Sequence, residues 1–429
     1  MRRALLVAAL LAGLAPAARA ERPVLAGEAT FGAPGGEILV HYATSGGDAP
    51  APADADLDGV PDFVGHVATT AELALARFVA LGFRRPISDG ALGGDGRIDI
   101  YLRDLSSADG NAGLDSCDAT NHCIGHVSAE NDFAGYAYQT LTEGIRSVVP
   151  HELFHLVQDA YATDQPATWT EASAMWSVEH LFGDGCSDLE RFLPAFVTRS
   201  FRPFDRPVGG FGDGYAYGAG LWPLYLEQRF GVGVVVAAWQ ASEHASFLDA
   251  IDEALRPAGS TTDDAWVDFT RANLFTGARA AGGDYAEAAA WPEVPREPAI
   301  ATTGEIFIEG LSARYVPIHA TARSQLAVTP TAGIRVAAWV VADAAGLIDG
   351  AALAGAPLST TIEPGDYTLV VTGLSRATLT TAVTISLAVD PPPADAGCRA
   401  TRPSPAAPLL VLAALLATRS RRRARPTRS

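Results

Sequence analysis

The chain has 429 residues and a formal net charge of −18, with 49 acidic against 31 basic side chains. So acidic a surface repels phosphate backbones, which argues against nucleic acid as a partner and suits a soluble protein or one that binds cations. Four cysteines are too few for a disulfide framework and fit the stapling of a loop.

The chain opens Met1-Arg2-Arg3, runs apolar from Ala4 to about Leu14, and continues to Ala18-Arg19-Ala20. A basic start, a short apolar core and an Ala-x-Ala end predict a secretory signal over residues 1–20, cut after Ala20. The run falls short of the roughly 20 apolar residues a membrane span needs. Residues 21–63 hold short strands, with Ile38–Tyr42 the clearest, and an Asp-rich turn from Asp54 to Asp62. An Ala-rich helix from Val64 to Leu81 ends at Gly82, a suitable C-terminal cap. A strand follows over Arg97–Leu102. Cys117 and Cys123 stand close enough to close a small loop in an oxidising compartment, while Cys186 has no obvious partner.

Two helices are predicted over Ser147–Tyr161 and Thr168–Phe182, separated by a short loop with Pro166. Further helices cover Tyr215–Phe230, Ala245–Leu255 and Thr261–Leu274. The stretch Trp291-Pro292-Glu293-Val294-Pro295-Arg296-Glu297-Pro298 reads as a linker over 291–299. Beyond it, segments rich in Val, Thr and Ile, such as Arg335–Val341, Tyr367–Val371 and Leu379–Val389, alternate with turns such as Pro364-Gly365-Asp366 and predict an all-β sandwich over 300–390. The expected fold is α+β: a mostly α catalytic domain over 64–290 with a small N-terminal sheet, then the sandwich.

The sharpest chemical signal is His151-Glu152-Leu153-Phe154-His155. Residues four apart share a helix face, so His151 and His155 can present two imidazoles to one metal ion, with Glu152 beside it as a base. Zinc at such a site lowers the pKa of its water and polarises a carbonyl. Leu153, Phe154, Leu156 and Val157 are apolar and would bury the helix. Catalytic zinc takes three protein ligands, and Glu171, early in the next helix, is the expected third. Thr168-x-x-Glu171 also fits a capping box in which Glu171 would bond backbone, so His180, Asp164 and Asp213 stand as alternatives. Asp159, four residues beyond His155, is a candidate to orient an imidazole or a solvated helix-end residue. Tyr215 and Tyr217 are either donors to a developing oxyanion or core aromatics.

The second signal is Asp54-x-Asp56-x-Asp58-Gly59-Val60-x-Asp62. Carboxylates at alternate positions, a Gly sixth and a carbonyl at Val60 match the first half of a calcium loop, though the twelfth position is Gly65 rather than Glu. Asp89, Asp95 and Asp99 could complete such a site. The contrasting reading is an acidic turn without an ion.

Residues 391–429 carry Pro391-Pro392-Pro393, Cys398, an apolar stretch from Ala406 to Ala417, and an Arg cluster at 419–423. This order resembles the C-terminal sorting tails of myxobacterial surface proteins, which implies attachment at Cys398 after removal of the residues beyond it; a plain tail anchor is the contrasting reading. In either case contact with a membrane is expected only through this tail.

His41-Tyr42, the Asp-rich loop, Gly82-Phe83, Gly94-Asp95-Gly96-x-x-Asp99-x-Tyr101, His151-Glu152-x-x-His155-x-x-Gln158 and Trp169-x-Glu171-x-x-Ala174-x-Trp176 occur in that order. Over roughly residues 37–275 this series resembles the secreted HExxH zinc metallopeptidases of myxobacteria and relatives, of the gluzincin-like kind. The resemblance implies zinc on His151, His155 and Glu171, Glu152 as base, and a protein or peptide substrate. Glu171-Ala172-Ser173 departs from the Glu-Gly-Thr expected there. A second function class stays open: a non-catalytic surface adhesin whose metal site is structural or vestigial.

Overall fold

The computed structural model describes residues 21–183, 188–206, 213–282, 285, 287–331, 335–342, 350–353, 355–374 and 380–390. The expected signal, Cys186, Cys398 and the tail lie outside these residues. The first layer is a five-stranded mixed sheet in the order β1-β2-β3-β5-β4, formed by β1 (Ala29–Gly32), β2 (Ile38–Tyr42), β3 (Ile98–Arg103), β4 (Gly110–Cys117) and β5 (Cys123–Glu130). β2, β3 and β5 run parallel, and antiparallel β1 and β4 form the two edges. The central strands are buried along nearly their whole length, as parallel strands covered by helices must be. β4 and β5 form a hairpin with Cys117 and Cys123 disulfide-bonded near its turn.

Helix α1 (Asp62–Leu81) joins β2 to β3 and buries Val64, Val67, Ala71, Leu75 and Phe78. Gly82 ends it at φ +104°, a left-handed conformation that glycine adopts without a Cβ penalty. Helix α2 (Leu141–Asp159) packs on α1, β4 and β5, and α3 (Ala167–Phe182) packs on α2. α2 begins six residues earlier than its apolar pattern predicts. Thr140 caps it, accepting from the Glu143 N–H at 3.1 Å, and Glu143 returns a bond to the Gln139 N–H at 2.8 Å. Gly144 and Pro150 weaken the helical signal of this stretch but are tolerated once the cap and the sheet hold it.

The rest of this region is helical: α4 (Asp188–Val197), α5 (Tyr215–Gly218), α6 (Leu221–Phe230), α7 (Gly233–Ala241), α8 (Phe247–Leu255) and α9 (Thr262–Ala272). The single helix expected over Tyr215–Phe230 is therefore two. Two four-stranded antiparallel sheets come next. One has the order β10-β9-β12-β7, from β7 (Ala313–Ala320), β9 (Val336–Ala342), β10 (Gly350–Ala352) and β12 (Gly365–Gly373). The other has the order β11-β8-β13-β6, from β6 (Thr303–Ile308), β8 (Ser324–Pro330), β11 (Leu358–Ile362) and β13 (Thr381–Val389). Ile308, Val316, Leu326, Val328, Leu369 and Ile385 of both sheets meet in one apolar core. The chain is thus α+β. Trp291 and Val294, in the stretch expected as a linker, are buried and belong to the same core as the helices.

Charged groups are drawn out of water at two places. The Arg22 guanidinium reaches Asp89, Asp99 and Asp115, the last at 2.6 Å, and its side chain is only 14% exposed. His41 lies between Asp99 and Glu28, at 2.8 and 2.6 Å; burial opposes its charge, but the two carboxylates outweigh this and raise its pKa. Asp89 and Asp99, expected as cation ligands, are thus engaged by Arg22, while Asp95 pairs with Arg97 at the surface. At the end of α2, Asp159 is half-buried, and burial pushes its carboxyl up to about 7 against the pull of His155.

Arg22→Ala would leave three carboxylates without their shared cation, and a cost of about 3 kcal/mol in unfolding free energy is expected. Arg97→Ala, which breaks a surface pair, is expected to cost under about 1 kcal/mol. Equal losses in urea melts of the two variants would refute this. For Asp159 the folded pKa lies above the unfolded 3.8, so the folded state holds more protons between those values and stability falls as pH rises from about 4 to about 7. In metal-free protein, Asp159→Asn is expected to be more stable than wild type by about 2 kcal/mol at pH 8 and equal to it at pH 4. A difference that does not depend on pH would show that ionisation of Asp159 is not the cause.

Candidate metal centre

α2 carries His151 and His155 one helical turn apart, on the side that faces α3. Their Nε2 atoms lie 3.2 Å apart, with the rings nearly perpendicular at 81°. From α3, Glu171 brings Oε2 to 3.1 Å from His151 Nε2 and 3.5 Å from His155 Nε2. These three side chains form one group whose candidate ligand atoms all lie within 4.8 Å of one another. Two imidazoles and a carboxylate are a donor set that zinc accepts, and three protein donors leave the fourth tetrahedral position open.

The capping-box alternative for Glu171 does not describe this geometry. Pro166 stands at the N-cap of α3, Thr168 lies inside the helix with its buried hydroxyl unpartnered, and Glu171 points to the imidazoles. The alternative ligands are engaged or elsewhere. His180 bonds Glu227 at 2.9 Å, Asp213 pairs with Arg202 at 2.6 Å, and Asp164 is exposed on the α2–α3 loop.

The electrostatics follow from placing these groups together out of water. Burial alone would raise the Glu171 pKa, but the adjacent imidazoles hold it well below the usual carboxylate range. Burial opposes charge on His155, yet Glu171 outweighs it and pushes the imidazole up to about 10. Glu152 is 8% exposed, and desolvation raises its pKa against the pull of both histidines.

Glu152 is also tightly confined. Its Cγ and Oε1 lie against Gly110, the first residue of edge strand β4, where an added Cβ would meet Glu152 Cγ at 2.7 Å and Val148 Cγ1 at 2.5 Å. Only glycine allows the strand so close to Glu152. The α2–β4 contact was not legible in the sequence, because Gly110–Cys117 lacks the β-branched residues that mark a strand.

The two tyrosines separate. Tyr215 is buried, donates its hydroxyl to the Arg202 carbonyl at 3.2 Å and packs under the Arg202 guanidinium. Tyr217 stands beside the centre, its ring 5.9 Å from that of His151 and packed on Phe192. Burial, with Glu171 and Glu152 nearby, raises its pKa and keeps its hydroxyl protonated. Asp159, read as either an orienting carboxylate or a solvated helix-end residue, is half-buried and shows no bond to an imidazole among the described residues. Gln158 does so instead, accepting from His155 Nδ1 at 2.9 Å. Its signal was a polar residue three positions after His155, on the same helix face.

In the Asp-rich loop, Asp54, Asp56 and Asp58 bring oxygens within 4.8 Å of one another. Backbone N–H groups of Asp58, Gly59 and Val60 point at these carboxylates. Asp62 is drawn off to accept from the Ala55 N–H at 3.0 Å, so it stands apart from the other three.

No family model and no curated protein matches the chain. Among solved structures, the pre-peptidase C-terminal domain of collagenase from Bacillus anthracis aligns over 22% of this chain and 99% of its own, at 16% identity and a TM-score of 0.19.

Proposed function

We propose that the chain is a secreted, zinc-dependent peptidase. The observation that carries this reading is the convergence of His151 Nε2, His155 Nε2 and Glu171 Oε2 from two helices onto one point, with buried Glu152 beside them. Zinc, when bound there, supplies a Lewis acid that acidifies water and polarises a substrate carbonyl. The residues of the chain supply the rest. Glu152 accepts the proton of the attacking water and returns it to the leaving amine, and its raised pKa suits both steps. The Tyr217 hydroxyl is the available donor for the negative charge that develops on the carbonyl oxygen.

A peptide substrate is favoured by strand β4. It is an edge strand whose outer side pairs with no other strand among the described residues, and it begins at the residue that touches Glu152. An extended peptide can add to such an edge through main-chain hydrogen bonds, which places its backbone beside the base. The competing reading, an adhesin with a structural metal, calls for a fourth protein ligand; among the described residues the group holds three. Secretion rests on residues 1–20 and fits the Cys117–Cys123 disulfide, and surface attachment rests on the tail with Cys398. Calcium is assigned to Asp54, Asp56 and Asp58 as a stabilising ion rather than a reactant.

Elemental analysis of the purified protein is expected to find zinc in the wild type and none in His155→Ala. Glu152→Gln should keep zinc and lose roughly 100- to 10,000-fold in hydrolysis of a peptide that the wild type cleaves. Gly110→Val should also keep zinc and lose about 100-fold, because the base is displaced. Full activity in Glu152→Gln, or no zinc in the wild type, would remove the peptidase reading. For calcium, millimolar Ca2+ should raise the melting temperature of the wild type and leave that of Asp56→Ala unchanged. A wild type that does not respond would leave the loop as an acidic turn.

A further inference from the structure

Gln158 is 3% exposed and lies between the two helices that carry the metal centre. Its Nε2 is 2.9 Å from the Thr170 carbonyl oxygen and 3.1 Å from Ser173 Oγ, both on α3. Its Oε1 is 2.9 Å from His155 Nδ1 on α2. The orientation of the amide follows from its partners. A backbone carbonyl only accepts, so the end facing Thr170 must be the NH2 group. Ser173 agrees, since its one hydroxyl proton goes to the Trp169 carbonyl at 2.7 Å and its oxygen is left to accept. The carbonyl end of Gln158 therefore faces His155, and Nδ1 must carry a proton to donate to it. That leaves Nε2 as the nitrogen turned toward His151 and Glu171.

We infer that Gln158 is a positioning residue: one buried amide fixes the ring orientation and protonation pattern of His155 and locks α2 to α3 at the spacing that brings Glu171 onto both imidazoles. The role as part of a zinc centre rests on the reading proposed above. The lock extends beyond the pair, because Ser173 also accepts from Trp239 Nε1 at 3.2 Å, which ties the amide to α7. A neutral amide serves here where a carboxylate would not. Asp or Glu could accept from His155, but a carboxylate has no proton to give to the Thr170 carbonyl and would meet it oxygen to oxygen.

The test uses the full chain with 15N-labelled histidine. In wild type, with or without metal, His155 should give an Nδ1–H resonance protected from exchange. In Gln158→Leu that protection should be lost and zinc affinity, measured by chelator competition, should fall about 10- to 100-fold. Gln158→Glu should keep the protected Nδ1–H, because the acceptor remains, while melting at lower temperature than wild type. Wild-type zinc affinity with an unchanged Nδ1–H resonance in Gln158→Leu would overturn the inference. If Gln158→Leu does not fold, loss of the resonance in Gln158→Glu overturns it instead. A wild type that binds no zinc but shows the protected resonance would remove the peptidase reading and leave the orienting role of Gln158 standing.

Discussion

The structure around the candidate centre depends on one constraint: a helix that buries His151 and Gln158 must give each of them a partner. Buried polar groups cost about 1–3 kcal/mol each when left unpaired, so two of them on one helix favour a neighbour that can pair with both. α3 supplies the partners, through Glu171 to the imidazoles and through Thr170 and Ser173 to the amide. Phe154 of α2 packs edge-on against Phe78 and Phe83 and also against Trp176 of α3, so α3 receives apolar as well as polar side chains of α2.

The sheet sets the other side of the centre. β4 approaches α2 closely enough that Gly110 touches Glu152, and the disulfide near the turn holds the far end of the same hairpin. Behind it, the parallel strands carry Asp99 and Tyr101 on β3 and His126 on β5, and the edge strand β4 carries Asp115, into the group gathered around Arg22 and His41. That group ties the first described residues of the chain to the sheet on which α2 rests. Strand β4 thus touches Glu152 through Gly110 at its start and joins the charged anchor through Asp115 further along.

How much could be read from the sequence depends on how local each signal is. The shared face of His151 and His155 on α2 is a pattern within five residues, and α1 with its Gly82 cap is a pattern within about twenty, so both were legible. Glu171 was expected as the third donor, with a capping role as the alternative, and the packing of α3 on α2 sets its carboxylate against the imidazoles rather than at the cap. β4 and β5 were missed because Gly110, Gly113 and Gly125 dilute the strand signal, and at Gly110 and Gly125 the glycine is there for close approach rather than for β propensity. Orientation of His155, for which Asp159 was one candidate, falls to Gln158, whose amide reaches both the imidazole and α3. The capping residues Thr140 and Glu143 were available as a signal for the true start of α2, but they precede its apolar run by more than one turn.

The stretch from Trp291 to Pro298 shows why composition misjudges a boundary. Three prolines and two acidic residues describe a linker, yet Trp291 packs against Tyr285 and Val294 is buried in the core that the helices share. The same core continues into the β region through Leu311, Tyr315, Trp339 and Val370. Polar contacts cross with it: the Tyr315 hydroxyl donates to the Thr270 carbonyl at 2.8 Å, and the Thr270 and Thr372 hydroxyls meet at 2.7 Å. A free linker would leave two separate cores and let the β sheets move as a tethered module. Here α9 is held between the helical region and β12, so the β region closes the apolar surface of the region that carries His151, His155 and Glu171 instead of hanging beside it.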